Sequence, residues 1–325
     1  MTDFSPQTWQ PLPAPALSGD LEKNDALDAA ELWGTPGRGP EDVVVDRDGS
    51  AIAGLEDGRI VRVTASGAEE IANAGGRPLG IEWLEDGALV VCNADLGLQR
   101  VTLNGEVTSL ASGYQGIDFK FTNNAAVASD GTIYFSDTST RWSIHEYVSD
   151  LLEGQATGRV FKLTPDGSLS LVADGFRFVN GLALDGGEES LFIAETATYR
   201  VHRHWLKGDR AGETDLFLDN IPGFPDNLSI ADGILWVPLA SPRQTMVDMM
   251  LPRKWMRTLS YRLPEALKPK PVRHGIVLAY DLDGNLVHNL QSASGTVAVT
   301  TGTRLHDGRL YIGSLTEPHI AVLEL

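Results

Sequence analysis

Four residues with carboxylate or amide side chains stand at one place in a recurring pattern, seven or eight positions before the glycine of a turn. They are Glu41, Asn123, Asn180 and Asp226. With no histidine or thiolate among them, they form a hard, oxygen-only donor set whose two carboxylates match the charge of a divalent cation. Such a set favours Ca²⁺, which accepts about six to eight oxygens in irregular geometry, over Zn²⁺ and over the strictly octahedral Mg²⁺.

Each of these residues also has a simpler interpretation when it is considered alone. An Asn or Asp that precedes a strand is usually a turn former or a partner for backbone hydrogen bonds. Four independent turns would not place four oxygen donors at one equivalent position, however. Without a cation, the two carboxylates would also repel each other in a partly buried channel. The coincidence therefore predicts a metal centre.

The elements that would position these residues form a sixfold repeat. Short β-rich runs follow turns that end in Asp-Gly or Gly-Gly, and the second turn residues are Gly49, Gly87, Gly131, Gly187, Gly233 and Gly308. The intervals of 38, 44, 56, 46 and 75 residues suit four-stranded propeller blades with insertions. Apolar and polar residues alternate in the flanking runs, and helical periodicity is absent through most of the chain. We therefore predict an all-β, six-bladed β-propeller over residues 38–325, whose first strands line one central channel.

Three segments lie outside the repeat. Residues 1–37 are expected to form an extension that packs on the outside of the propeller or closes its ring. Residues 139–158 carry apolar side chains at spacings of three and four, which predicts a short amphipathic helix. Residues 241–272 are rich in Met and Arg. Both insertions are either decoration on the rim or a lid over one mouth of the propeller, with a substrate pocket lined by Met246, Met249, Met250, Trp255 and Met256.

Composition restricts the partners. The chain has 325 residues, of which 42% are hydrophobic and 22% charged, as in a globular protein. We find no transmembrane segment and no signal peptide, so a cytoplasmic location is expected. Cys92 is the only cysteine, which excludes a disulfide framework and a cysteine-built metal site. A net charge of −18 would repel nucleic acid and anionic membranes over most of the surface, which leaves a small molecule as the expected partner. The oligomeric state is not indicated.

Five motifs in order resemble one known group of proteins. They read GPEDVVVDRDG, FTNNAAVASDGTIYFSD, FVNGLALD, GFPDNLSI and DGRLYIGSL. They are similar to strictosidine-synthase-like proteins, within the broader group of six-bladed calcium-dependent hydrolases that includes gluconolactonases, regucalcin, diisopropyl fluorophosphatase and the paraoxonases. The resemblance extends from about residue 38 to the C-terminus.

The resemblance implies specific ligands. Glu41, Asn123, Asn180 and Asp226 would hold a catalytic calcium, with Asn227 as a candidate fifth ligand. Paraoxonases hold a second, structural calcium deeper in the channel, and its acidic positions correspond to Asp42 and Asn124. Because Asn124 replaces a carboxylate by an amide, a second ion would be held more weakly here.

The chain also departs from the families that it resembles. Strictosidine synthases use a glutamate in the last blade, but the corresponding stretch, residues 294–304, contains no carboxylate. The histidine pair of the paraoxonases is replaced by Leu79 and Ala94. His145 and His274 are the histidines nearest the insertions, and each is more simply explained as a surface or packing residue.

These features predict a calcium-dependent hydrolase of lactones or other esters. The ion would polarise the carbonyl, and Asp226 is the candidate for activating water or attacking directly. Two alternatives remain open. One is a propeller that binds a small molecule without turnover. The other is a C–N condensing enzyme, which would need a lid carboxylate such as Glu146 or Asp248.

Overall fold

The computed structural model describes residues 3–264, 267–268 and 270–325, and it confirms the six-bladed β-propeller. Six antiparallel sheets follow one another along the chain. The innermost strand of each sheet contacts the innermost strand of the next, and the last contacts the first. The first strands therefore form a closed ring around one axis, which is where residues distant in sequence can meet.

The first three blades are each built from consecutive strands. Blade 1 contains β2 (Val43–Val45), β3 (Ala51–Gly54), β4 (Arg59–Thr64) and β5 (Gly67–Asn73). Blade 2 contains β6 (Pro78–Trp83), β7 (Leu89–Asn93), β8 (Gly97–Val101) and β9 (Val107–Ala111). A small hairpin of β10 (Gly113–Tyr114) and β11 (Ile117–Asp118) leads to blade 3, which contains β12 (Thr122–Val127), β13 (Ile133–Asp137), β14 (Gly158–Leu163) and β15 (Leu169–Phe176).

The remaining blades vary more. Blade 4 contains β16 (Val179–Leu184), β17 (Ser190–Glu195), β18 (Arg200–Trp205) and β19 (Thr214–Leu218). In blade 5 the first strand is divided, so the blade contains β20 (Gly223–Pro225), β21 (Ser229–Ala231), β22 (Ile234–Pro242), β23 (Gly275–Asp281) and β24 (Leu286–Ser292). Blade 6 contains β25 (Thr300–His306), β26 (Arg309–Ser314), β27 (His319–Glu324) and, from the other end of the chain, β1 (Glu31–Gly34).

Strand β1 closes the ring. It pairs antiparallel with β27, so that Trp33 lies opposite Ile320. The Trp33 side chain is buried and meets the ring of Tyr311 edge-on at 5.6 Å between centroids. A strand from the N-terminal region thus covers the outer edge of the last blade, which would otherwise leave unpaired backbone groups.

The hydrophobic core lies between neighbouring blades. In β4, Ile60, Val61 and Val63 are buried and Arg62 is partly covered. Successive side chains of a strand point to opposite faces of the sheet. Val61 and Val63 pack in a cluster with residues of blade 6, and Ile60 packs in another with residues of blade 2. Each sheet therefore buries both of its faces against its two neighbours.

One turn differs from its sequence assignment. In blades 1, 2, 3, 5 and 6 the turn glycine has a positive φ, but in blade 4 Gly187 does not. The left-handed residue there is Glu188, with φ of 51°. When the spacing is counted from Glu188, Asn180 lies eight positions upstream, as Asn123 does from its own turn. Because Gly187 is not the left-handed residue of this turn, counting from it makes the spacing to Asn180 one residue too short.

Short helices occupy the two insertions. The first, between β13 and β14, contains a 3-10 turn (Ile144–Glu146) and α1 (Tyr147–Glu153). The second, between β22 and β23, contains α2 (Thr245–Met250) and α3 (Lys254–Tyr261). Further 3-10 turns are Gly19–Leu21, Ala26–Ala29 and Thr196–Thr198. In the ranges that the structure describes, no helix is long and apolar enough to cross a membrane.

The two insertions contact each other. Helix α1 packs against α3. The guanidinium of Arg257, in α3, donates through Nη1 to the carbonyl of Leu152 at 3.2 Å, near the C-terminal end of α1. A helix end carries unpaired carbonyls and partial negative charge, so this cation stabilises the contact. We call α1, α2 and α3 the lid helices.

Candidate functional site

The predicted donors lie where the first strands of their blades are irregular. The pairing of β12 with β13 shifts register between Thr122 and Ala125, and Asn123 lies inside this bulge. Asn180 lies in the corresponding bulge of β16. Asp226 falls in the break between β20 and β21, and Glu41 lies two residues before β2. Bulges redirect side chains next to active sites, and here they turn a strand residue toward the axis.

Glycines in alternate blades make room for the donors. A Cβ on Gly181 of blade 4 would lie 2.4 Å from the carbonyl oxygen of Asp226 in blade 5. Equivalent close approaches occur between Gly80 and the backbone of blade 3, and between Gly302 and the backbone of blade 1. Only glycine permits such contacts. Blades 1, 3 and 5 therefore carry two polar residues at this position (Glu41–Asp42, Asn123–Asn124, Asp226–Asn227). Blades 2, 4 and 6 carry a residue followed by glycine instead. This alternation is visible in the sequence, although the spacing from the turns does not reveal it.

Glu41, Asn123, Asn180 and Asp226 all line one pocket at the mouth of the channel. We call these four residues the axial cluster. All four are buried, and the pocket has a volume of about 1100 Å³ when its open mouth is included. Leu79, the equivalent residue of blade 2, also lines the pocket. In blade 6 the equivalent residue is Thr301, whose hydroxyl donates to the backbone oxygen of Glu41.

Hydrogen bonds hold the amide groups with their oxygens unpaired. Asn123 donates through Nδ2 to the hydroxyl of Thr138 at 3.0 Å, and Asn180 donates through Nδ2 to Oδ1 of Asp226 at 2.9 Å. In the described part of the chain, Oδ1 of Asn123, Oδ1 of Asn180 and Oε2 of Glu41 are buried and have no partner. A buried polar atom without a partner costs about 1–3 kcal/mol. Thr138 was not singled out from the sequence.

Asn227, next to Asp226, also has unpaired polar atoms. Its side chain is buried, and neither Oδ1 nor Nδ2 has a hydrogen-bond partner among the described residues. Asn227 is not among the residues that line the pocket, so only the axial cluster is brought together there. The unpaired oxygens of the axial cluster are the atoms that an oxygen-binding cation would contact. The residues therefore fit one calcium ion.

Electrostatics point the same way. Burial, followed by the charge of the nearby Asp226, raises the pKa of Glu41 well above its usual range. Burial also raises the pKa of Asp226 to about 7, against the opposing hydrogen bond from Asn180. Two buried carboxyls are thus held where ionisation is costly, and a bound cation would offset that cost for both.

The donor set relies on amides. Across residues 3–264, 267–268 and 270–325, no three side chains of the His, Cys, Asp and Glu types are grouped so that they could hold a metal. The axial cluster supplies only two carboxylates, so any ion here depends also on the amide oxygens of Asn123 and Asn180. This composition suits a hard cation and is unsuitable for a transition metal.

The residues corresponding to a second calcium do not fit an ion. Oδ1 of Asp42 accepts from the backbone of Val43 at 2.9 Å, and its Oδ2 accepts from the backbone of Ile81 at 3.2 Å and from Nδ2 of Asn124 at 3.3 Å. Oδ1 of Asn124 accepts from the backbone of Leu182 at 2.8 Å. Each side-chain oxygen thus already has a partner.

A guanidinium supplies the positive charge at this level. Nη2 of Arg304 lies 3.9 Å from Oδ2 of Asp42 and 2.7 Å from a carboxylate oxygen of Glu82. Burial raises the pKa of Asp42 to about 6, although Arg304 opposes the shift. We call Asp42, Asn124 and Arg304 the Asp42 network. Arg304 ends the stretch that lacks the expected glutamate, and no pattern in the sequence connects it with Asp42.

The walls of the pocket are apolar and come partly from the lid helices. The propeller contributes Leu79, Phe121 and Phe178, and the two insertions contribute Ile144, Tyr147, Val148, Leu151, Val247, Met250 and Leu251. Both insertions therefore lie over the mouth of the channel. An apolar pocket with a few polar groups on its floor is the usual form of a small-molecule site.

The prediction of a methionine-rich pocket lining is wrong for most of the residues it named. Of the five residues predicted to form it, only Met250 lines the pocket. Met246, Met249 and Trp255 are exposed to solvent, and Met256 is half-buried without reaching the pocket. In a helix, residues three or four apart share a face, so Met246 and Met249 point away while Val247 and Met250 point inward.

The histidines near the lid do not reach the pocket. His145 is exposed and pairs with Asp95 at 3.0 Å. His274 is buried and shares a hydrogen bond with the side chain of Gln291 at 2.9 Å. Neither belongs to the lining, as the sequence interpretation expected.

The lid carboxylates are also elsewhere. Glu146 is exposed. Asp248 accepts a hydrogen bond from the hydroxyl of Tyr199 at 2.9 Å and pairs with Arg243 at 2.9 Å. Among the described residues that line the pocket, Glu41 and Asp226 are therefore the only carboxylates.

This architecture defines a class, the six-bladed propellers that carry oxygen donors on their axis beneath a pocket. Residues 123–209 match the family model for strictosidine synthase, and residues 19–63 match that for the N-terminal part of strictosidine-synthase-like proteins. The chain is 33% identical to the adipocyte plasma membrane-associated protein of Salmo salar over 340 residues, which cover 96% of this chain and 82% of the relative. It is 31% identical over 300 residues to protein STRICTOSIDINE SYNTHASE-LIKE 6 of Arabidopsis thaliana, covering 88% of this chain and 79% of the relative. The chain belongs to the strictosidine-synthase-like family.

Solved structures agree on the fold. A gluconolactonase from Xanthomonas campestris superimposes with a TM-score of 0.65 and covers 93% of both chains, at 19% sequence identity. At this identity the similarity shows a shared propeller architecture.

Proposed function

We propose that this protein is a calcium-dependent hydrolase of lactones or other esters. The observation that carries the proposal is the set of buried, unpartnered oxygens of Glu41, Asn123 and Asn180 at the floor of an apolar pocket. The fold shared with a gluconolactonase is consistent with this chemistry. Glu41, Asn123, Asn180 and Asp226 would hold the ion, with Asn227 as a fifth ligand. When bound, calcium would polarise the ester carbonyl as a Lewis acid.

Asp226 is the residue we assign to proton transfer or direct attack. It lines the pocket together with Glu41, and no other carboxylate or histidine among the described residues does so. The amide of Asn180 holds Oδ1 of Asp226 at 2.9 Å, which fixes the orientation of the carboxylate. A positioned carboxylate can take a proton from water or attack the carbonyl carbon itself.

The walls define the substrate class. Phe121, Phe178 and the inward side chains of the lid helices surround the space above the axial cluster. They favour a molecule with an apolar body and one carbonyl group at the floor. They also displace water around the carbonyl, which strengthens the electrostatic contacts there.

A panel of γ- and δ-lactones and aryl esters, assayed with calcium and with a chelator, tests the proposal. We expect hydrolysis that the chelator abolishes. The Asp226→Asn variant should lose this hydrolysis, and circular dichroism should show that it keeps the fold. The matched control is Asp130→Asn, which changes an exposed turn aspartate outside the pocket and should keep full activity.

Two results would contradict hydrolysis. If the panel is inert while a calcium-loaded protein binds lactones tightly, the pocket is a binding site without turnover. If Asp226→Asn remains fully active, the assigned residue is wrong. A C–N condensing activity is not favoured, because Glu146 and Asp248, the lid carboxylates it would require, do not line the pocket.

A further inference from the structure

The outer surface of the second insertion is unusually apolar. In the described part of the chain sixteen large apolar side chains are exposed, and six of them lie within the 32 residues from 241 to 272. We call five of these the lid face: Met246, Met249, Trp255, Leu259 and Leu267. Trp255 and Met246 are each 67% exposed. Exposed apolar side chains in this concentration usually mark a binding surface.

The helical geometry places the members of each pair of these side chains on one face of their helix. Met246 and Met249 are three residues apart in α2, and Trp255 and Leu259 are four apart in α3, so each pair shares a helix face. The opposite faces are used by the molecule itself, because Met250 lines the pocket and Arg257 is buried. Since α2 and α3 also contact each other, the two outward pairs lie on neighbouring elements.

The charge of this segment is opposite to that of the whole chain. Residues 241–272 contain seven Lys and Arg and two acidic residues, a net charge of +5 in a chain of net charge −18. Arg253, Lys254, Arg262 and Lys270 are exposed. None of these four forms a salt bridge with a carboxylate in the described ranges. Most of the bases that do form such ion pairs lie on the blades. Their charge is therefore available to a partner.

Apolar and basic side chains together fit one kind of partner. Trp, Leu and Met enter the boundary between headgroups and acyl chains, while Lys and Arg contact anionic headgroups. Nucleic acid would not explain the exposed Met and Leu side chains. The whole-chain charge that disfavours membranes is an average, and the acidic propeller would face away from a bilayer that contacts the lid face.

We propose that the lid face docks the protein onto an anionic lipid bilayer. Because Val247, Met250 and Leu251 line the pocket from the same insertion, docking would bring the pocket mouth close to the bilayer. A lipophilic substrate could then pass from the membrane into the pocket without crossing water. The binding is independent of the chemistry assigned to the axial cluster.

Vesicle co-sedimentation tests the docking with the full chain, in a chelator so that calcium bridges are excluded. One set of vesicles is pure phosphatidylcholine, and the other contains about 30% phosphatidylserine. We expect binding to the anionic vesicles at least tenfold tighter than to the neutral ones, and weakened by added salt. No binding to the anionic vesicles at low salt would overturn the proposal.

Variants assign the binding to this surface. Trp255→Ser/Leu259→Ser should weaken binding at least tenfold, and Arg253→Glu/Lys254→Glu at least fivefold. Leu171→Ser/Leu216→Ser removes two exposed apolar side chains from blades 3 and 4 and should bind like the parent. All six positions are exposed, and thermal melts would check that the fold is kept. Equal loss in the control variant would contradict the assignment.

Two further measurements distinguish docking from self-association and from the proposed hydrolysis. If light scattering shows a dimer that Trp255→Ser/Leu259→Ser dissociates, the lid face is a self-association surface and the docking proposal is wrong. Asp226→Asn should still bind vesicles normally. The docking and the proposed hydrolysis can therefore fail separately.

Discussion

Two neighbouring groups of oxygens on the propeller axis differ in one respect, whether their atoms already have partners. In the axial cluster, Oε2 of Glu41 and the amide oxygens of Asn123 and Asn180 have none within the described chain. In the Asp42 network, backbone amides, an amide side chain and a guanidinium approach the carboxylate. The acids and amides of both groups are buried.

The comparison shows that composition alone does not define a cation site. A carboxylate in a low-dielectric interior needs compensation, which can come from an ion or from the protein's own donors. Arg304 and the backbone of Ile81 give Asp42 that compensation permanently. Around Glu41 and Asp226 this compensation is incomplete, because Asn180 donates to Asp226 but Oε2 of Glu41 has no partner among the described residues. An ion would act there as a missing structural partner. We therefore expect one bound calcium per chain.

The largest expected effect is loss of that calcium when a ligand charge is removed. Glu41→Gln and Asp226→Asn should each weaken calcium binding on the order of a thousandfold, since the charge of the ligands sets affinity. Calorimetric titration measures both the affinity and the stoichiometry. Calcium at a hundredfold excess over Kd should stabilise the parent by about 2.7 kcal/mol, and these variants should lose that stabilisation.

Asp42→Asn is the matched control, because Asp42 is adjacent to Glu41 in sequence and equally buried. It should keep a stoichiometry of one and nearly the same affinity. If the parent protein binds two ions and Asp42→Asn binds one, the Asp42 network is itself a metal site. The distinction between the two groups would then be wrong.

The next largest effect concerns Arg304. Arg304→Gln leaves the buried Asp42 carboxylate without its cation and should cost about 3 kcal/mol of unfolding free energy, the lower end for a buried pair because the Arg304 side chain is 22% exposed. Urea unfolding in chelator measures it. The double variant Arg304→Gln/Asp42→Asn should recover part of the loss, since both charges are gone. Strictly additive losses would show that the two residues are not coupled.

The sequence predicted the axial cluster because its determinants are local and repeated. Alternating strands and turns fix each blade, and a distance of seven or eight residues from the turn brings Glu41, Asn123, Asn180 and Asp226 to one pocket. The Asp42 network depends on contacts that no repeat encodes. Arg304 reaches Asp42 from the other end of the chain, and the saturation of Asp42 involves backbone amides.

The lid illustrates a second limit. Periodicity predicted a short helix within residues 139–158, where α1 lies, but it could not say which side of α2 faces the pocket. A run such as TMVDMM has apolar residues on both sides, and the choice between Met246 and Met250 is made by where the helix packs. Strand β1 is similar, since a four-residue strand in the N-terminal region is defined by its pairing with β27 rather than by any pattern.

A smaller effect is the dependence of calcium binding on pH. Because the pKa of Asp226 is raised to about 7 and that of Glu41 well above its usual range, protons compete with calcium at these carboxyls. The apparent affinity should fall by at least about tenfold for each pH unit below 7, and it should level off only once both carboxyls are ionised. Titrations at pH 5.5, 6.5 and 7.5 would show it, and a flat profile would contradict it.

The calcium-free protein should respond to pH in the opposite direction. Its carboxyls hold protons more tightly when folded than when unfolded, so the folded state binds more protons and unfolding free energy falls as pH rises from about 4 through 7. Asp42, with its pKa near 6, contributes in the same direction. Added calcium should remove only the pH dependence of the unfolding free energy that is due to Glu41 and Asp226. The same experiment therefore distinguishes the axial cluster from the Asp42 network.

The smallest effect we expect is at Thr138, which contacts no ion in this scheme. Its hydroxyl accepts from Nδ2 of Asn123 at 3.0 Å and donates to the carbonyl of Val179 at 2.8 Å, so it fixes the direction of the Asn123 oxygen. Thr138→Val keeps the shape and removes this support, and calcium affinity should fall about tenfold, as for other outer-shell changes at metal sites. Thr303→Val, a buried first-strand threonine that holds no donor of the axial cluster, is the control and should leave affinity unchanged. If both variants bind calcium like the parent, the orientation of Asn123 is set by the bulge alone and its oxygen contributes little to the site.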